Sequence, residues 1–142
     1  MDSKKNVNRS PWSSIDGGVA FGYYVDNKIG KLFKTGEALI TELLAYTTGD
    51  TLGIALDLDS SPRMARFYKN GQFIVEGEIP WSGEVYPAVG SGNSDGGITT
   101  ANFGITKFNI ITSNPVEWQK LKRKGYLPYD VDNASWFTPF KI

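Results

Sequence analysis

The most regular pattern in the chain is the run Asp50-Thr51-Leu52-Gly53-Ile54-Ala55-Leu56-Asp57-Leu58-Asp59, in which Leu52, Ile54, Leu56 and Leu58 occupy alternate positions between small or acidic residues. Successive side chains of a strand point to opposite faces, so this pattern predicts a strand that projects the four apolar side chains into a sheet-on-sheet interior. After the turn Ser60-Ser61-Pro62, residues Met64 to Lys69 predict a second strand, and Asn70-Gly71 leads into a third at Gln72-Phe73-Ile74-Val75. An Asn-Gly pair between such runs marks a type I′ hairpin, because both central residues of that turn need positive φ. Upstream, Val19 to Tyr24 and Ile29 to Phe33 flank Asp26-Asn27-Lys28 and predict another hairpin. Residues 37–48 suit a helix on propensity alone, but their β-branched flanks and Gly-rich setting favour a strand. Downstream, Val85 to Val89 and Ile98 to Phe103 predict two further short strands, with Trp81 to Glu84 as a loop and residues 91–97 as a flexible tip.

The tail changes character. Asn114 is placed to cap a helix over 115–124, with Pro115 at its first position, Glu117 at the third and Gly125 just past its end. Trp118 and Leu121, three apart, would share the inner face of that helix. Beyond it, Tyr126-Leu127-Pro128-Tyr129 and Trp136-Phe137-Thr138-Pro139-Phe140 are rich in large apolar groups without a clear period, and such a tail needs a surface to lie against. The expected fold is an all-β antiparallel sandwich with one short C-terminal helix. It is organised as a flexible arm over 1–14, a sandwich over 15–110, and a helix with an apolar tail over 111–142 that packs on the sandwich or on a partner.

Composition narrows the chemistry. A chain of 142 residues suits one core. Fifteen basic and fifteen acidic residues cancel, so no net field draws nucleic acid or an anionic membrane, and neither partner is expected. The chain has no Cys and no His. Disulfides, thiolate zinc sites, a Ser-His-Asp triad and His-based metal sites are therefore all out of reach within this chain. The polar start Met1-Asp2-Ser3-Lys4-Lys5-Asn6 is not followed by an apolar stretch, which argues against a secretory signal.

The remaining candidate motifs read as ordinary structure. A calcium loop counted from Asp57 would place Pro62 where Gly is wanted and Tyr68 where the bidentate Glu is wanted, so Asp57 and Asp59 are read as turn-capping groups. Glu76, Glu78, Glu84 and Asp95 supply carboxylates, but none is set by the sequence in the paired arrangement that glycoside hydrolysis needs. The glycines of residues 90–97 are not followed by Gly-Lys-Ser/Thr and a helix, so they form no phosphate loop. Lys120, Lys122, Arg123 and Lys124 complement the negative end of the predicted helix, with no aromatic stacking platform evident beside them. No catalytic residue, metal or cofactor is expected.

Four pieces in register resemble the later strands of the SPRY family: Gly49 to Asp59, Arg66-Phe67-Tyr68-Lys69-Asn70-Gly71, Val85-Tyr86-Pro87-Ala88-Val89 and Thr100-Ala101-Asn102-Phe103-Gly104. Phe21-Gly22-Tyr23-Tyr24 looks like the aromatic strand before them, and the likeness spans roughly residues 20–108. On physical grounds Gly53 would leave room for a neighbouring backbone, Phe67 would fill the core and Tyr68 would lie nearer the surface. The strands that open a complete domain of this family have no counterpart here, which leaves a sandwich incomplete at its N-terminal side and an edge in need of a cover.

The resemblance implies a non-enzymatic protein-interaction module with its ligand surface on loops. It points to Tyr24, Asp26, Trp81, Asn93 and Asp95 as ligand contacts, and the apolar tail offers Trp136, Phe137 and Phe140 as oligomer or partner contacts. The leading functional expectation is a virion or assembly component, such as a phage fibre-tip, baseplate or decoration subunit that docks or binds a host receptor as a homo-oligomer. The alternatives are a cytoplasmic adaptor that binds a short peptide of a partner protein, and a lectin-like carbohydrate binder.

Overall fold

The computed structural model describes residues 20–34, 37–89 and 98–138. The chain divides into two compact units, each assembled from two stretches: Met1–Thr47 with Gly77–Thr99, and Thr48–Glu76 with Thr100–Ile142. Each holds a three-stranded antiparallel sheet, so the fold is all-β with a short C-terminal helix, as the pattern of strands and turns predicts.

The first unit is built on strands β1 (Phe21–Asp26), β2 (Ile29–Lys34) and β3 (Glu37–Leu43), in that order across the sheet. The turn between β1 and β2 puts Asn27 and Lys28 at φ 49° and 65°, the left-handed pair that a two-residue hairpin demands. Phe21 and Leu32 are the largest fully buried side chains. Gly77 lies against them, and a Cβ there would stand 2.8 Å from Leu32 Cδ2 and 2.9 Å from Phe21 Cζ. The strand favoured for residues 37–48 forms over Glu37–Leu43, with irregular register against β2 around Leu32 and with Glu42 at φ 64°.

The second unit carries strands β4 (Leu52–Asp57), β5 (Met64–Lys69) and β6 (Gln72–Glu78), with β5 in the centre and the end of β6 running into the first unit. Asn70 and Gly71 take φ 50° and 83°, as the type I′ prediction requires. The Asn70 side chain also ties the hairpin to the start of β4, accepting from Thr51 N at 2.9 Å and donating to Asp50 at 2.9 Å. At the far end of β4, Asp57 accepts from Ser60 Oγ at 2.7 Å and from the amides of Asp59 and Ser60, which is the turn-capping role expected of it. Those bonds, the Ser60 hydroxyl first, hold the Asp57 carboxyl below the ordinary carboxylate range.

After a single helical turn, α1 (Ile110–Ser113), the chain enters α2 (Pro115–Arg123). Asn114 caps α2 by accepting from Glu117 N at 3.2 Å, and its amide donates to Gly71 O at 3.1 Å, tying the helix start to the β5–β6 hairpin. Gly125 at φ 89° ends the helix, with Gly125 N bonded to Lys122 O and Tyr126 N to Leu121 O, a Schellman closure. Trp118 and Leu121 are buried together, as their spacing predicts.

Three expectations need correction. Leu52, Ile54 and Leu58 are not interior: they remain 41%, 53% and 42% exposed. The strand itself is correct, but β4 is an edge, and the central strand β5 supplies the buried Ala65 and Phe67 that face Leu56 and Ile54 in the register. Tyr68 is buried along with Phe67 rather than lying near the surface, because Glu117 of α2 closes over its hydroxyl. Gly53 faces the Tyr68 side chain, at the 3.4 Å of ordinary contact for an added Cβ, and not a close backbone.

The strands predicted at 85–89 and 98–103 do not form; Tyr86 makes an isolated bridge, and residues 98–102 have no regular structure. In the second case the Asn102 side chain takes over, accepting from Gly104 N and Thr106 N and donating to Thr106 O, which closes a local turn in place of a ladder.

Candidate functional site

Of the ligand contacts that the resemblance points to, Tyr24 and Asp26 lie within β1 rather than on loops, and they and Trp81 engage in local contacts. Tyr24 packs edge-on to Phe33 at 5.1 Å, and the Lys31 ammonium lies 5.9 Å from its ring centre. Asp26 pairs with the same Lys31 at 3.1 Å. Trp81 is half-buried and its indole donates to Glu84 O at 3.2 Å. Asn93 and Asp95 lie outside the described residues, as does Phe140 of the tail set.

Trp136 and Phe137, by contrast, are brought into a cluster with two rings from elsewhere in the chain, Phe108 and Trp118. Phe108 meets Trp118 and Trp136 edge-on at 6.1 and 5.3 Å, and Phe137 meets Trp118 and Trp136 at 6.2 and 6.0 Å. Trp136 is held by its indole N–H, which donates to Gly104 O at 2.6 Å. Gly104 sits at φ 125° with Pro128 and Ala134 packed close, a place no side chain could occupy without strain. Trp136 and Phe137 therefore pack within their own unit, against Trp118 of α2.

These rings leave a cleft of about 180 Å³ walled by Trp118, Trp136 and Phe137, with Lys107 and Lys122 at its polar margin. Lys122 Nζ stands 6.0 Å from the Trp118 ring centre and 5.9 Å from that of Phe137, within cation–π reach of both. The expectation that the basic cluster has no aromatic platform is thus corrected. Trp118 and Lys122 are one helical turn apart, a spacing visible in the sequence. What was not visible is that Trp136 and Phe137 return to complete the platform.

Beside α2 lies a polar network. Arg66 Nη1 reaches Glu76 at 2.9 Å and Nη2 reaches Glu117 at 3.4 Å, while its Nε donates to Tyr68 Oη at 3.0 Å. Tyr68 in turn donates to Glu117 at 2.9 Å. Removal from water is the main reason the Tyr68 phenol is pushed up to about 12, and the network anchors the helix to the sheet. Among the described residues no group of three or more acidic side chains is gathered to hold a metal ion, and no helix is long and apolar enough to cross a membrane.

The edges of the two sheets differ in how they meet solvent. Strand β3 exposes Leu39 and Ile40 but carries Glu37, Glu42 at positive φ and a broken register, devices that discourage pairing with another chain. Strand β4 has a neighbour on one side only among the described residues, and from Thr51 to Leu56 it holds no charge, proline or bulge. It combines an open edge with an exposed apolar row.

No protein-family model, curated protein or solved structure matches the chain.

Proposed function

We propose that the chain is a non-enzymatic assembly module that associates with a second copy of itself through the open edge of β4. The observation that carries this reading is the exposure of Leu52 and Ile54 on an edge strand that holds no charge, proline or bulge from Leu52 to Leu56. An antiparallel pairing of β4 with its own copy, centred on Ile54, keeps the apolar row on one face. It sets Leu52 opposite Leu56 of the second copy and Asp57 opposite Thr51, so no two acids stand directly across from one another. Two three-stranded sheets would join into one of six strands. A virion or other particle subunit is one class that suits such self-pairing, because assembly holds its copies at high local concentration. The SPRY resemblance contributes less, since the interior packing expected of its leucine row is not what that row does here.

Sedimentation velocity tests the proposal. Twice the chain mass is expected at concentrations up to about 100 μM, which detects association as weak as roughly −5.5 kcal/mol. Ile54→Lys should restore the monomer while leaving the far-ultraviolet circular dichroism unchanged. A monomer throughout that range, or an assembly indifferent to Ile54→Lys, would refute it.

A further inference from the structure

The aromatic cleft is left unused by assembly through β4. Its chemistry is specific: three rings provide apolar surface, and two lysines provide positive charge at the margin. Among the described residues no carboxylate pairs with Lys107 or Lys122, whereas Arg66 and Lys69 of the same unit are paired with acids. A ligand that satisfies the whole site has an apolar face for the rings and an anionic group for the ammonium groups. Its size is limited, because about 180 Å³ is well below the roughly 300–1,000 Å³ of sites for larger organic ligands. One six-membered ring is the scale that fits.

The cleft is also half open, and Thr138 adds an exposed hydroxyl to its lining. This favours a ring that keeps hydroxyl groups in water while laying its C–H face on an indole, over a flat aromatic ring that gains most from complete enclosure. A neutral sugar would leave the lysines uncompensated, and a bare phosphate would leave the rings uncovered. We propose that this cleft binds a carboxylate-bearing monosaccharide, with the sugar in the corner formed by the perpendicular rings of Trp136 and Phe137 and the carboxylate at Lys122 and Lys107. Lys122 then exchanges cation–π contacts with its own rings for a charge-assisted bond to the ligand.

The test is a titration of the full chain with D-glucuronate and with N-acetylneuraminate, followed by the indole N–H signals of Trp118 and Trp136 in nuclear magnetic resonance spectra. Saturable shifts at both indoles are expected with at least one of the two acids, and D-glucose should bind at least about tenfold more weakly. Lys122→Gln and Lys107→Gln, both at the margin of the cleft and outside the core, should each lower the affinity about fivefold or more with the circular dichroism unchanged. No saturable shift up to about 50 mM of either acid overturns the proposal. So does affinity unchanged in both variants, or tighter binding of benzoate or inorganic phosphate than of either sugar. Because the readout lies at α2 and the tail, Ile54→Lys should leave it unaltered, which separates this result from the fate of the β4 interface.

Discussion

Strands β2 and β4 are each six residues long and each carry apolar side chains, yet water treats them differently. In β2, Leu32 and Phe33 are buried; in β4, Leu52 and Ile54 stay largely exposed. The two strands also differ in position. Strand β2 lies between β1 and β3, whereas β4 has only β5 beside it. A central strand is flanked by neighbours that help to exclude water from both of its sides, while an edge strand depends on whatever covers its face. Apolar alternation therefore reports that a strand forms, and what packs over its face decides whether that face becomes core or contact surface, since Phe21 is fully buried although β1 is also an edge strand.

The sharpest way to break this contrast is to truncate one side chain from each kind of environment. Phe21→Ala, which empties a fully buried site beside β2, should cost about 3–5 kcal/mol in urea unfolding. Ile54→Ala, measured on dilute monomer, should cost only about 0.5–1 kcal/mol. Equal losses would mean that β4 is core after all.

Glycines sharpen the same comparison at a smaller scale. A Cβ on Gly30 would lie 2.5 Å from Leu44 O and 3.0 Å from Leu43 O, both backbone atoms that cannot swing aside. Gly30→Ala should therefore destabilise by about 1–3 kcal/mol. Gly53 in β4 meets only the Tyr68 side chain at ordinary contact distance. Gly53→Ala should be neutral or stabilise by about 0.4–1 kcal/mol through the unfolded chain, as chemical denaturation would show.

The smallest expected effect compares the hairpin turns. The β5–β6 turn already has glycine at its second left-handed position, but the β1–β2 turn places Lys28 at φ 65°. Lys28→Gly should raise the thermal midpoint, with a gain of a few tenths to about 1 kcal/mol. A fall in the midpoint would show that the lysine side chain does more for the turn than its backbone costs.

Much of this fold is legible in the sequence. Asn70-Gly71 announced its turn, and Asn114, Pro115 and Gly125 marked both ends of α2, because each of these residues solves a local backbone problem within a few positions of itself. The strands expected at 85–89 and 98–103 do not form, for the complementary reason. Short apolar runs suggest pairing, but the ladder needs a partner, and the Asn102 side chain offered the backbone a nearer one. The cleft was half legible: Trp118 and Lys122 share a helix turn, whereas the arrival of Trp136 and Phe137 against them could not be deduced from spacing. Of the residues singled out beforehand, Trp136 and Phe137 entered that site, while Tyr24, Asp26 and Trp81 are occupied in local contacts.

The amino-acid sequence by itself determined where chain direction reverses, where the helix begins and ends, and which chemistries are denied by the lack of His and Cys. Those properties depend on single residues and their immediate neighbours. Only the tertiary structure decided that the leucine row of β4 faces water and that the last aromatic residues build a lysine-rimmed cleft. Burial and convergence are set by residues distant in the chain, and no local pattern encodes how much solvent they exclude.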